Sequence, residues 1–275
     1  MSSSNFAEAI VLRTVQLTPH MYRLTFRSEF AADFTLGAPG QYLKVLAPAP
    51  GEAGPPAFDP NTYKTQMRTY TLRHVRPAEQ EFDIDFVVHG DEGIAGPWAK
   101  QARPGNRILI SRPGTLKFTV EEADWHLFAA DMAAIPAAAI ELEGLPEHAV
   151  GDAFFEILSE EDRQPVRAPA GITIHWIIKA DSHAPSDELI DAIQSITWRD
   201  GAPSVFVAGE FSVARLFRTY FRKERPTRKD LTYVSSYWKL GLIEPEHKAF
   251  KAQIAAQAVA IDLTCTLVGR DLPLP

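Results

Sequence analysis

The sequence predicts a protein of the β + α/β class: an antiparallel β-barrel over residues 1–120, then an open parallel sheet flanked by helices over residues 121–275, with a C-terminal helix. Three observations lead there. Six strand-like runs divided by Pro- and Gly-rich breaks fill the first part. After about residue 122, helical runs and apolar β-branched runs alternate. The strands of that second part end on Asp, Lys or Gly-Glu, at the edge where open α/β sheets take their ligands.

In chain order, EAIVLRTVQL (8–17) and MYRLTFRS (21–28) are strands joined by the hairpin TPH, and GQYLKVLAP (40–48) follows a Pro-Gly break. Segment 48–62, PAPGEAGPPAFDPNT, is too rich in Pro and Gly for regular structure and reads as a mobile loop at the barrel rim. MRTYTLRHV (67–75), EFDIDFVVHG (81–90) and NRILISRPG (106–114) complete the barrel strands. Among them, GIAGPWAKQA (93–102) reads as a short helix with a Gly-rich start and Pro97 in its first turn. Unpaired N–H groups and dipole charge at such a start suit a phosphate, and glycine lets a pyrophosphate come close; a plain connection between strands is the alternative.

In the second part, DWHLFAAD (124–131) is a strand followed by an Ala-rich helix over 133–144. HAVGDAFFEIL (148–158) and GITIHWIIKA (171–180) are strands, and SDELIDAIQSI (186–196) has helical period behind Ser-Asp. SVFVAGE (204–210) leads into the helix FSVARLFRTYFRKE (211–224), then the strand LTYVSSYW (231–238) and a last helix near 244–258. The predicted strand ends are Asp131, Lys179, Ala208-Gly209-Glu210 and Ser235–Trp238. The chain has no G-x-G-x-x-G, so the usual dinucleotide fingerprint is absent.

Composition narrows the function. Of 275 residues, 45% are hydrophobic and 23% charged, the balance of a globular protein, and no run approaches the ~18 apolar residues of a membrane span. A net charge of −7 speaks against wholesale nucleic-acid binding. It leaves room for a local basic pocket, for which 218–229, 111–117 and 237–239 are the candidate runs. Cys265 stands alone, which excludes an internal disulfide and a four-cysteine metal cluster. With an N-terminus unlike a secretory signal, these features predict a cytoplasmic protein without membrane insertion.

The stretch QMRTYTLR (66–73) sets an aromatic between two arginines. Strand alternation sends Arg68, Tyr70 and Leu72 to one face and Thr69, Thr71 and Arg73 to the other. A cation beside a flat ring suits a ligand with both a phosphate and an aromatic plane, whereas a barrel strand with snorkelling arginines is the bland alternative.

In order and spacing, GQYLKVL, MRTYTLR, FDIDFVVHG, GIAGPWAKQARPGN, LFAADMAAIPA, FVAGEFSVARLFRTYFRKER and SSYWKLG resemble the siderophore-interacting proteins, FAD-dependent ferric-siderophore reductases of the ferredoxin-reductase superfamily. The likeness runs from about residue 8 to 241. It departs in the Gly-rich segment: Gly93-Ile94-Ala95-Gly96-Pro97-Trp98-Ala99 stands where the family has Gly-Pro-Ala-Ser-x-Trp-Ala, so Gly96 replaces a hydroxyl.

The resemblance implies that Tyr70 stacks on the isoalloxazine, Arg68 neutralises the FAD pyrophosphate, and Thr69, Thr71 and Arg73 complete the strand's share, with Arg73 the less direct contact. Gly93, Ala95, Gly96 and Trp98 form the phosphate turn, and Tyr237 and Trp238 cover the other flavin side. His89 either touches the flavin or is a strand-end histidine bonded to backbone, and Asp85 either binds ribose or pairs with a barrel arginine. Asp131, Ala134, Gly209 and Glu210 face the nicotinamide of NAD(P)H, and Lys179 meets a 2′-phosphate; ferredoxin is the other electron donor the family suggests. Lys44 and Lys239 match siderophore contacts, with Arg112 or Lys117 as a third cation.

No acid–base residue and no resident metal is implied, because Fe(II) binds hard oxygen ligands more weakly than Fe(III) and reduction alone releases it. A general NAD(P)H:flavin or ferredoxin-type oxidoreductase and a non-catalytic siderophore-binding protein are the rival functions. The expected assembly is a monomer.

Overall fold

The computed structural model describes residues 5–35, 40–48, 52, 54–55, 66–88, 93–115, 123–179, 181, 187–242, 246, 249–250 and 252–253. Alternating apolar residues in the first half build β1 (Phe6–Thr18), β2 (Met21–Arg27), β3 (Gln41–Leu46), β4 (Arg68–Thr71), β5 (His74–Arg76), β6 (Glu81–Val87), β7 (Arg107–Ser111) and β8 (Gly114–Thr115). They form one antiparallel sheet in the order β4-β3-β7-β1-β2-β6-β5, with β8 added beside β3. Its inner face buries Leu24, Phe26, Leu43, Val45, Phe82, Ile84, Phe86, Ile108 and Ile110. The helix α1 (Ala95–Gln101) adds Trp98, whose ring stacks 6.4 Å from Phe26.

The expected single strand 67–75 is two strands, β4 and β5, at opposite edges of this sheet. Leu72 N–H donates to the Gln41 carbonyl on the β3 side, and the next residue, Arg73, donates its N–H to Asp83 on the β6 side. Consecutive residues thus join the two edges, and the sheet curls into a barrel whose seam runs between Leu72 and Arg73. The continuous alternation expected from Arg68 to Arg73 is broken there.

In the second half, β9 (Trp125–Ala130), β10 (Val150–Ile157), β11 (Gly171–Ile178), β12 (Pro203–Glu210) and β13 (Thr232–Trp238) form an all-parallel sheet in the order β11-β10-β9-β12-β13. Helix α2 (Ile135–Glu143) covers one face, while α3 (Glu188–Gln194) and α4 (Phe211–Thr219) cover the other. The strand order reverses at β9, between β10 and β12, which places a ligand crevice at that edge. The expected helix 211–224 changes pitch: Tyr220–Glu224 is a π-helical turn. Widening turns two successive rings, Tyr220 and Phe221, into the core, where Phe221 stacks 5.8 Å from Phe217.

The halves are joined by packing and by charge. Met21 from the β1–β2 hairpin is fully buried within the α2-side core, with Leu17 and Val87 against it. Asp162, also fully buried, accepts from Thr18 Oγ1 at 2.8 Å, from His20 N–H at 3.1 Å and pairs with His20 Nδ1 at 2.8 Å. Burial opposes ionisation of Asp162, yet these hydrogen bonds hold its carboxyl below the ordinary aspartate value. Of the helix expected near 244–258, residues 246, 249–250 and 252–253 are helical and the others lie outside the described residues, as does most of the expected loop 48–62.

Candidate functional site

β4 pairs β3 with Arg68 opposite Val45, Thr69 opposite Lys44, Tyr70 opposite Leu43 and Thr71 opposite Tyr42. Opposed residues share a face, so Arg68 and Tyr70 stand on the side of the buried Val45 and Leu43, and Lys44 and Thr69 point the other way. The Lys44 ammonium donates to the Thr69 hydroxyl, and Arg68 Nη1 donates to the Met67 carbonyl at 3.0 Å. Tyr70 is half-buried, its ring 4.5 Å from Phe86 at an interplanar angle of 43°.

Phe86 also meets Trp98 of α1 edge-on at 6.2 Å, so the Arg-x-Tyr strand and the Gly-rich turn converge on one ring. The backbone comes close at Gly96, where a Cβ would stand 3.1 Å from the Val87 carbonyl. Gly93 has φ +82, with open space where a side chain would project. Ala95 and Trp98 are buried in the barrel core and form the wall behind this turn. His89 and Lys117 lie outside the described residues.

Two of the expected cofactor contacts have charged partners within the protein. Asp85 receives Arg23 through Nε at 2.6 Å and Nη2 at 2.7 Å, so of its two expected roles the structure has the arginine pair. Arg73, only 8% exposed, grips Glu143 of α2 through two bonds of 2.9 and 2.5 Å, with Asp85 3.9 Å away. The seam is the reason: once β4 ends, Arg73 belongs to the opposite sheet edge and to the junction with the second half.

The ends of the parallel strands gather Asp131, Glu156, Gly209 and Glu210, which line the crevice at the switch point with Val213. Asp131 accepts from the N–H of Ala133 at 3.0 Å, of Ala134 at 3.2 Å, and from Trp238 Nε1 at 2.7 Å. Gly209 permits this, since a Cβ would fall 2.6 Å from Asp131 Oδ2. Burial pushes the Asp131 carboxyl up to about 7, against the pull of the Trp238 hydrogen bond and with the Glu156 charge adding to the rise. Glu210 caps α4 by accepting from Ser212 and Val213 N–H and also takes the Leu240 N–H at 3.2 Å. Lys179 is buried with its ammonium 3.8 Å from Glu156.

Beyond Trp238, Lys239 sets its ammonium over two phenyl rings, 5.4 Å from the Phe211 centroid and 5.2 Å from that of Phe250. Arg112 lies on the barrel surface, 4.4 Å over Phe30 and 3.0 Å from Asp33. Tyr237 packs against the α2-side core, and burial raises its hydroxyl pKa well above the ordinary value. Burial likewise pushes Glu141 of α2 up to about 7.

The sequence reading did not single out Glu141, Glu143, Glu156, Phe211 or Phe250. Glu156 carried a signal, an acid inside the apolar run FFEIL; Phe250 carried none. No helix among the described residues is long and apolar enough to cross a membrane.

Two family models match the chain: the siderophore-interacting FAD-binding domain over residues 10–116 and the siderophore-interacting protein model over residues 123–241. The chain is 32% identical over 240 residues to the ferric vibriobactin reductase ViuB of Vibrio cholerae, covering 84% of this chain and 88% of that one. The crystal structure of the siderophore-interacting protein SipS from Aeromonas hydrophila superposes with a TM-score of 0.76 at 28% identity, over 92% of this chain and 98% of that one. Ferredoxin-NADP+ reductase from Plasmodium falciparum, at 13% identity and a TM-score of 0.63, shares the fold over 86% of this chain and 98% of its own.

Proposed function

The chain belongs to the siderophore-interacting protein family, and we propose that it is an FAD-dependent reductase of ferric siderophores that draws electrons from NAD(P)H and releases Fe(II). The observation that carries this reading is the convergence of β4 and the Gly93–Trp98 turn on Phe86. It brings a half-buried phenol ring, on a strand that also carries a guanidinium, to the same ring as a turn that opens on a glycine with free space.

These residues fit a flavin dinucleotide. Arg68 carries the charge a pyrophosphate needs, Tyr70 a ring face, Thr69 and Thr71 polar groups on the other face of the same strand, and Gly93 leaves space at the backbone. A bound FAD supplies the conversion of a two-electron donor into the single-electron steps that a ferric ion accepts. The chain's own residues bind and orient: Asp131 ties Trp238 to the strand ends and accepts from the Ala134 N–H, and Asp131, Gly209 and Glu210 border the crevice assigned to the nicotinamide. Lys44 and Lys239 provide the cationic mouth for an anionic chelate, and no proton transfer at iron is required.

We divide the chain into a flavin-holding half, 1–120, and a nucleotide half, 121–275, in keeping with family matches that end at 116 and resume at 123. The protein acts as a cytoplasmic monomer, with ferredoxin as the other candidate donor.

Anaerobic mixing of the purified protein with NADH or NADPH and a ferric chelate tests the proposal. A yellow protein should bleach, and Fe(II) should appear in a ferrous trap only when chelate is present. Bleaching without Fe(II) makes it a general flavin reductase; a colourless protein that binds ferric chelates makes it a carrier. Arg68→Ala should weaken FAD binding by roughly 1.5–3 kcal/mol, the scale of a hydrogen bond to a charged group. Unchanged flavin affinity in that variant removes Arg68 from the site.

A further inference from the structure

Among the described residues, several buried or half-buried cations are matched by carboxylates. Arg23 has Asp85, Arg73 has Glu143, Arg76 has Asp83, and Lys179 has Glu156. Lys239 is held differently. Its ammonium sits over Phe211 at 5.4 Å and over Phe250 at 5.2 Å, and these rings meet edge to face with centroids 5.1 Å apart. Among the described residues no carboxylate pairs with it.

The backbone beneath is fixed as well. Leu242 N–H donates to the Lys239 carbonyl at 3.1 Å, Gly241 takes φ +76 in the same turn, and Leu240 N–H is tied to Glu210. Phe211 follows Glu210 directly as the first residue of α4, whereas Phe250 comes from the helical residues near the C-terminus. Three separate parts of the chain therefore converge on one ammonium.

Physically, a ring face attracts a cation through its quadrupole without cancelling its charge. A carboxylate would fix the lysine equally well but would present the incoming anion with a neutralised pair. We propose that Phe211 and Phe250 are positioning residues that bracket Lys239 and hold its ammonium as an uncompensated cation for an anionic ferric chelate. This rests on the reading of Lys239 as a substrate contact. It makes Phe250 part of the substrate site and predicts selectivity for anionic over neutral chelates.

The test compares a triply anionic ferric tris-catecholate with a neutral ferric tris-hydroxamate in steady-state Fe(II) release by the flavin-loaded full chain. Phe250→Leu keeps bulk but loses the ring face, and it should raise KM for the catecholate by roughly two- to fivefold, with kcat and the hydroxamate KM held. Phe211→Leu, on a different element, should do the same. Phe250→Tyr should restore the parent KM. In a Lys239→Gln background, Phe250→Leu should add nothing, because the ring acts through the ammonium.

Equal losses for both chelates, or a Phe250→Leu effect that persists in Lys239→Gln, would make the bracket structural only. If Lys239→Gln itself leaves the catecholate KM unchanged, the substrate role of Lys239 fails and the bracket's role fails with it. If the parent releases no Fe(II) from either chelate, it is the reductase reading that fails.

Discussion

Asp83 on the barrel and Glu141 in the parallel half are both buried carboxyls, yet their surroundings drive them in opposite directions. On β6, register sets Glu81 opposite Arg27, Asp83 opposite Thr25 and Asp85 opposite Arg23, while β5 adds His74 and Arg76 from the other side. Burial works against the charge of Asp83, but hydrogen bonds from His74, Arg76 and Thr25 outweigh it and hold the carboxyl far below the ordinary range. In the parallel half, no cation among the described residues pairs with Asp131 or Glu141, and burial pushes both up to about 7. The difference is one of role. The barrel's outer face is a matched ladder that holds strands in register. The parallel half keeps Glu141 near neutrality within the protein and Asp131 near neutrality beside the crevice, where perturbed carboxyls gather at functional sites.

The largest effect should come from breaking the ladder where it leaves the barrel. Arg73→Ala strands Glu143 and removes a cation beside Asp85. We expect a loss of about 3–5 kcal/mol in urea unfolding, the scale for removing one partner of a buried ion pair. A variant as stable as the parent would show that the ladder does not support the junction.

Next in size is the pH response, in which the two regions carry opposite signs. Glu141 titrates near 7 when folded and near 4.5 otherwise, so its contribution is fully present below about 4.5 and is lost as pH rises through 7. Asp131 behaves likewise. Asp83 and Asp162, held low, contribute above the unfolded aspartate value and lose that contribution as pH falls through their folded values. Urea midpoints from pH 3 to 9 should therefore pass through a maximum. Glu141→Gln should gain up to about 2–3 kcal/mol relative to the parent at pH 8, with Asp131 accounting for the slope that remains. An unchanged alkaline slope in that variant would mean that water reaches Glu141 and that its surroundings are not the barrel's opposite.

Much of this architecture was legible in the sequence. The run EFDIDFVVHG was legible as a strand, whose Phe82, Ile84 and Phe86 the structure buries, and the shift in rhythm marked the parallel sheet. Asp131, Gly209 and Glu210 could be placed together because parallel strands end at one edge. The seam could not be read. Nothing in MRTYTLRHV separates Leu72 from Arg73, since closure of the sheet, not local propensity, decides where the strand changes edge. The partner of Arg73, on a helix 70 residues on, is therefore invisible in the motif. Cross-strand register hid the Asp85–Arg23 pair in the same way, and the contact of Phe211 with Phe250 spans two elements that share no motif.

The smallest expected effect sharpens the comparison within the barrel itself. Arg112 and Arg73 are both guanidiniums on that half with a carboxylate partner, but Arg112 and Asp33 are 54% and 65% exposed at their side chains against 7% for Arg73. Water already screens the Arg112 pair, and its stacking on Phe30 at 4.4 Å is a surface contact. Arg112→Ala should thus cost under about 1 kcal/mol, and salt should shrink even that. The same variant separates the two candidates for a third cation at the chelate mouth. With Asp33 3.0 Å from its guanidinium, Arg112 offers an anionic chelate a largely compensated charge, so KM for a ferric catecholate should move by less than about twofold. A tenfold rise would assign the third cation to Arg112 and leave Lys117 without that role.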